Sequence, residues 1–288
     1  MEILTTLWSL LIVKSLVVAL VVTALMVIGS KYVRKYRVVV YIAALIIISY
    51  VVACSMTGNT GDWPRWFSTG VRLLTMGALA TAFWAVVMYV GVLPDKWKIK
   101  KKLKSVRAEL SVIACLLSLG QVVYFSNHFI RFFTDPGSMQ GYYEYATIAS
   151  LVLLIIMIPL MLTSFYTVRK WMSQKSWKRL QNWSYVFYVA LYLHVVGIYL
   201  WQSMNGRYRD LQALEAYTAI FVTYFVLRII KYLYDRKKYN ERLAANAGTT
   251  VDEDDDCECI ECDCSKSTDH SDHADEHDAK DEDRNKEE

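Results

Sequence analysis

The sequence predicts an all-α integral membrane protein: a bundle of seven transmembrane helices followed by an acidic, disordered tail. Three observations predict it. Hydrophobic residues make up 55% of the 288-residue chain, although 21% of it is charged. The apolar residues fall in runs long enough to cross a hydrocarbon core about 30 Å thick, which takes roughly 20 helical residues. The charge is divided by sign: residues 1–251 hold 28 basic and 10 acidic residues, whereas residues 252–288 hold 4 and 18. The formal net charge of +4 is what remains of +18 and −14, so it carries no information about partners.

The runs are residues 6–28, 38–55, 69–93, 108–127, 144–166, 182–203 and 213–232. The first is too long for a signal-peptide core, lacks a basic leader and is followed by no small-residue cleavage site, so it reads as a true span. Basic residues fill alternate connections. Lys31, Arg34, Lys35 and Arg37 follow the first run, and Lys96 to Arg107 contribute seven more before the fourth. Arg169, Lys170, Lys175, Lys178 and Arg179 lie between the fifth and sixth, and Arg228 to Arg242 contribute six after the seventh. These connections hold 22 basic residues, against five in the others (Arg65, Arg72, Arg131, Arg207 and Arg209). The positive-inside rule therefore orients a multi-pass plasma-membrane protein with its amino terminus outside and its tail in the cytoplasm. The outer connections carry turn residues, Thr57-Gly58-Asn59-Thr60-Gly61 and Asp135-Pro136-Gly137. Trp63, Trp66, Trp97, Trp171, Trp177, Trp183 and Trp201 mark the two interfaces.

Seven helices raise the possibility of a retinal protein, but residues 213–230 contain no lysine for a Schiff base. A transporter usually shows broken helices or ionisable groups at the membrane midplane. The candidates for the latter are Lys14, placed to snorkel, and Glu109, placed at the inner interface beside Arg107.

The fifth run ends Pro159-Leu160-Met161-Leu162-Thr163-Ser164, followed by Arg169-Lys170 and Trp177-Lys178-Arg179-Leu180-Gln181. The sixth then carries Tyr185 and His194, with Trp201 at its far end. This ordered set resembles the ferric reductase-like transmembrane domain family, and within it the haem-binding membrane subunits of bacterial methionine-sulfoxide reductase systems. The resemblance covers residues 38–232 as a six-helix core, with residues 1–37 as an added helix and basic loop.

The resemblance implies b-type haems ligated from the fourth and sixth runs. Ligands 13 or 14 residues apart on one helix are separated by about 20 Å, so two haems can relay electrons across the membrane. Carried onto this chain, the outer ligand pair falls on Gln121 and His194, and the inner positions on Gln181 and Arg107. Two of the three expected histidines are thus glutamine, and a carboxamide is a poor axial ligand where imidazole is the usual donor. At most one haem b is implied. A lone axial His194 permits a five-coordinate haem, while Gln121 and His194 could instead form a polar pair without a cofactor. Gln181 reads otherwise as interfacial, and Arg107 as part of the inner basic loop or a contact to a haem propionate. His128 lies seven residues beyond Gln121, about 10 Å further out, and is not expected at the level of His194.

Residues 233–251 are a basic juxtamembrane segment and linker, and residues 252–288 lack the apolar content to fold alone. The tail contains Cys257, Cys259, Cys262 and Cys264, followed by His270, His273 and His277. Four thiols within eight residues suit Zn or Cu(I), although the spacing is not that of paired zinc knuckles. No Gly-rich dinucleotide fingerprint follows the last run, so a separate reductase or a quinol is the expected electron donor. The leading functional expectation is a membrane electron-transfer subunit, a possible oxidoreductase component, with no nucleic-acid partner. The alternatives are a non-catalytic scaffold or metal-responsive protein, and a small-solute or metal transporter.

Overall fold

A computed structural model describes residues 11–57, 64–94, 97–135, 137, 139, 141–205 and 208–247. The chain divides into two compact units, Met1–Arg242 and Leu243–Glu288; of the second, only the helical backbone of residues 243–247 is described. Regular structure among the described residues is entirely helical. In chain order the helices are α1 (Leu11–Ile28), α2 (Ser30–Lys35), α3 (Arg37–Met56), α4 (Arg65–Thr75), α5 (Ala78–Val92) and α6 (Lys98–Tyr124). They continue with α7 (Ser126–Thr134), α8 (Gly141–Leu162), α9 (Tyr166–Trp171), α10 (Gln174–Met204) and α11 (Tyr208–Ala247).

Among the described residues, six helices are long and apolar enough to cross a membrane: α1, α3, α6, α8, α10 and the stretch Asp210–Arg242 of α11. They form a multi-pass membrane bundle. Several present large apolar side chains outward, among them Leu20, Leu25, Ile46, Ile47, Ile155 and Leu193, as a lipid-facing surface requires. Several interior hydroxyls bond back to carbonyls one turn earlier, Thr23 to Ala19 at 2.6 Å, Thr75 to Val71 at 3.0 Å and Ser118 to Ala114 at 2.9 Å. No water is needed to satisfy them.

The run at 69–93 is not the continuous span the sequence suggests. Trp66–Thr75 and Ala78–Val92 meet at a 66° bend. Gly77 forms the joint, with φ +73° and ψ 0°, a left-handed conformation that a Cβ makes costly. A methyl group at Gly77 would also overlap the carboxamide of Gln121 on α6. Beyond the joint, α5 is apolar on all sides and buried on nearly all of them, as befits the central helix of a bundle. It packs against α1 and α6, and α3 covers α6 from another side. Its far end is held by two lysines: Lys100 Nζ donates to the Leu93 carbonyl, and Lys231 Nζ to the Gly91 carbonyl at 3.3 Å. Both cations meet the carbonyl end of the helix, where four acceptors are otherwise unpaired and the dipole is negative.

Other differences from the predicted boundaries share one cause. Helices α6, α10 and α11 begin or end well beyond their apolar runs, because Lys98–Arg107, Gln174–Gln181 and Arg236–Arg242 continue the helix through water with good helix formers. Ser173 caps α10, its hydroxyl accepting from the Ser176 amide at 3.2 Å. Helix α6 ends at Phe125, and the amphipathic α7 takes a new course from Ser126.

The joint yields a test. Gly77→Ala is expected to lower stability by about 1–3 kcal/mol through backbone strain and overlap with Gln121. Gly70→Ala, where a Cβ meets open space, should leave stability unchanged or slightly raise it. Thermal unfolding midpoints in detergent report both, and equal midpoints for the two variants would remove Gly77 from its role as the joint.

Candidate functional site

The bend at Gly77 opens onto a cavity of about 430 Å³ in the half of the bundle away from the basic connections. That volume lies within the usual range for small-ligand pockets, about 300–1,000 Å³. Helix α6 packs on α1, α3 and α5, and α8 packs on α10, but α6 and α10 share no comparable packed face. The cavity occupies the gap. Two of its lining residues, Phe187 and Ser118, are joined behind it by Trp84, whose ring centroid lies 4.5 Å from that of Phe187 and whose indole donates to Ser118 Oγ at 3.2 Å. Gly77, Gln121 and Ser118 line one wall, and Phe187, Leu191, His194 and Tyr199 line the other.

Gln121 and His194, the predicted outer pair, therefore face one space. They do not satisfy one another: His194 is only 9% exposed, and its Nδ1 is buried without a hydrogen-bond partner. The Gln121 carboxamide instead lies against Gly77, filling the place a side chain would take there. The backbone beside His194 is fixed from α8, where the Tyr145 hydroxyl donates to the Leu193 carbonyl at 2.7 Å. Gly197 lets this happen, because a Cβ there would overlap the Tyr145 ring. Two interior residues of α10 thus set the position of the histidine between them.

Gln181 and Arg107, the predicted inner positions, do not line this cavity. Both are half-buried near the basic side. Arg107 sits within electrostatic range of Tyr185, Tyr224 and Arg228, and the Arg228 guanidinium lies 4.9 Å from the centre of the Tyr185 ring. Between this region and the cavity the interior is filled by aromatic rings. Tyr188 and Phe221 stack at 4.5 Å, Tyr188 and Tyr224 meet at 4.8 Å, and Tyr89 reaches Tyr224 at 5.7 Å. Tyr188 and Phe221 are fully buried.

Several cavity residues were not anticipated as site residues. His128 is in the lining of the same cavity as His194, and its Nδ1 is also buried and unpartnered. Arg72 and Asp210 contribute one charge of each sign, and Gln202 Nε2 donates to the Tyr142 hydroxyl at 2.8 Å. Only Gly77, an isolated glycine in an apolar run, offered a signal of the break. Among the described residues no group of three His, Cys, Asp or Glu side chains is placed to hold a metal ion. Cys257, Cys259, Cys262, Cys264, His270, His273 and His277 lie outside the described residues.

The chain is 32% identical over 212 residues to an uncharacterized protein of Treponema pallidum (strain Nichols), a match covering 72% of this chain and 57% of that protein. The chain thus spans less than two thirds of the length of this relative. No protein-family model matches the chain, and neither does a solved structure.

The aromatic filling below the cavity can be tested through Tyr188, whose hydroxyl is buried with no hydrogen-bond partner. An unpaired buried hydroxyl costs about 1–3 kcal/mol. Tyr188→Phe is therefore expected to match or exceed the parent in thermal stability in detergent, and a clearly lower midpoint would mean that the hydroxyl has a bonded role.

Proposed function

We propose that this protein is a membrane electron-transfer subunit holding one b-type haem in the cavity between α6 and α10. The observation that carries the proposal is that His194, a buried imidazole whose Nδ1 has no hydrogen-bond partner, is in the lining of a ligand-sized cavity. An imidazole held without a partner inside a bundle needs one, and a cofactor iron supplies it. The residues present fit the group in two respects. His194 offers an imidazole donor, and the cavity volume is that of a ligand site. A haem, when bound, supplies a one-electron couple. The protein's part is to hold His194 through Tyr145 and Gly197, to bound the cavity with Phe187, which Trp84 backs, and to present Arg72 to anionic groups.

A second haem at Gln181 and Arg107 finds no support, since aromatic rings occupy the neighbouring interior. Transfer toward the basic side would pass through those rings to a separate reductase, or the cavity would take electrons from a quinol. With the α4–α5 pair counted as one crossing, the chain crosses the membrane seven times. The excess of basic residues on one side supports an outside amino terminus and a cytoplasmic tail at the plasma membrane.

The broken helix favours a second reading, a carrier for a small solute, because half-helix ends at membrane depth commonly line transport sites. A reduced-minus-oxidised spectrum of protein purified after expression with ample haem separates the two. Haem at about one per chain, lost in His194→Ala, is expected; protein free of haem would sink the electron-transfer reading and favour the carrier.

For the tail, we propose that Cys257, Cys259, Cys262 and Cys264, with His270, His273 and His277, take up Zn or Cu(I) as a metal-responsive element. Binding of either ion to the full chain should disappear when residues 257–264 are deleted. Undiminished binding after that deletion would refute this ligand set.

A further inference from the structure

We infer that Arg107 on α6 and Arg228 on α11 together hold a phosphate group at the basic end of the bundle. The inference goes beyond the haem reading and does not depend on it. The two helices turn matching faces to each other there. Lys100 and Arg107 lie seven residues apart on one face of α6, and Arg228 and Lys231 three apart on one face of α11. Lys100 Nζ and Lys231 Nζ both reach the Leu93 carbonyl at the end of α5, the second at 3.5 Å. Each arginine lies nearer the apolar part of its helix than the lysine does. Two tyrosines close the cluster. The Arg228 guanidinium stands over the Tyr185 ring, 4.9 Å from its centre. Tyr224, 1% exposed, lies within electrostatic range of both arginines. The groups that act on Arg107 are Tyr185, Tyr224 and Arg228, and no carboxylate is among them.

Two half-buried guanidinium groups thus meet without a counter-charge. Among the described residues neither donates a hydrogen bond or forms an ion pair. Glu109, two residues beyond Arg107, acts on Tyr41 of α3 instead. Asp235 is exposed and lies seven residues past Arg228, about 10 Å further along α11. Like charges repel strongly where water is scarce, and an anion shared between them turns repulsion into attraction. Phosphate is the anion that fits. Each guanidinium offers five N–H donors in a planar fork, which meets two phosphate oxygens at once. Stacking on Tyr185 sets the plane of one fork in advance. A lipid headgroup and a free phosphate share this chemistry. The side chains flanking Arg228 (Val226, Leu227, Ile229 and Ile230) are exposed and apolar, which favours a lipid whose chains lie along them.

The test follows the thermal unfolding midpoint of the full chain in lipid-free detergent as phosphatidylglycerol, phosphatidylcholine or inorganic phosphate is added. Phosphatidylglycerol is expected to raise the midpoint at lower concentration than phosphatidylcholine. Arg107→Gln and Arg228→Gln should each raise the half-saturating phosphatidylglycerol concentration about tenfold, the worth of one charge-assisted contact. Lys104→Gln, which removes an exposed charge from the same side, should leave it unchanged. Without lipid, either arginine variant should unfold no lower than the parent, because one of two mutually repelling charges is gone. A purely structural role would give the opposite sign. Inorganic phosphate that protects the parent with the same dependence on both arginines would support the site and make its source a free phosphate. Protection by none of the three compounds would overturn the inference. So would protection that is equal for the two lipids or unchanged in both arginine variants, or a lower lipid-free midpoint in both. None of these outcomes bears on whether haem is bound.

Discussion

A helix that stops inside a hydrocarbon layer must find partners for the amides and carbonyls it frees, because no water is present to take them. This constraint governs the bundle. At the joint between α4 and α5 the chain turns through Gly77, whose left-handed backbone redirects the helix within a single residue. Thr81 returns its hydroxyl to the Gly77 carbonyl at 3.0 Å, and the carboxamide of Gln121 covers the joint from α6. At the other end, Lys100 and Lys231 close the carbonyl terminus of α5. The joint is thus a managed break, and the space it leaves beside α6 is the cavity.

The cavity and the aromatic interior are two solutions to one spacing problem. Helices α6 and α10 stand apart along their whole length, and large rings fill the gap on the basic side: Tyr188, Phe221, Tyr224 and the Trp84–Phe187 contact. On the opposite side the gap stays open, and its lining mixes polar groups such as Ser118, Gln121, Thr147 and Ser150 with aromatic rings such as Phe129, Tyr143 and Tyr199. The glycine at position 197 belongs to the same scheme, since it admits Tyr145 and thereby fixes the turn of α10 that carries His194.

Much of this was legible in the sequence and some was not, for physical reasons. The apolar runs located the crossing helices to within a turn, except where charged residues continue a helix into water, since hydropathy marks the membrane and not the helix end. Gln121 and His194 line one cavity, and each lies beyond a basic connection by a distance that the helix rise converts to depth. His128 lies beyond the change of course at Phe125, so the rise of one straight helix over residues 121–128 does not give its depth. The bend at Gly77 was missed because a single glycine in an apolar run is usually tolerated without a break. The aromatic filling near Gln181 depends on contacts between α5, α10 and α11, which no local pattern encodes.

The pinned end of α5 has an electrical consequence. Fifteen residues separate Val92 from the joint, a rise of about 22 Å, roughly three quarters of a hydrocarbon core about 30 Å thick. A charge moved between the level of Gly77 and the basic side would therefore cross most of the membrane's field. At about 2.3 kcal/mol per unit charge for each 100 mV across the full core, that passage involves about 1.7 kcal/mol of electrical work. The depth of the joint makes any charge transfer through this bundle sensitive to the membrane potential, with a direction and size set by the length of one short helix.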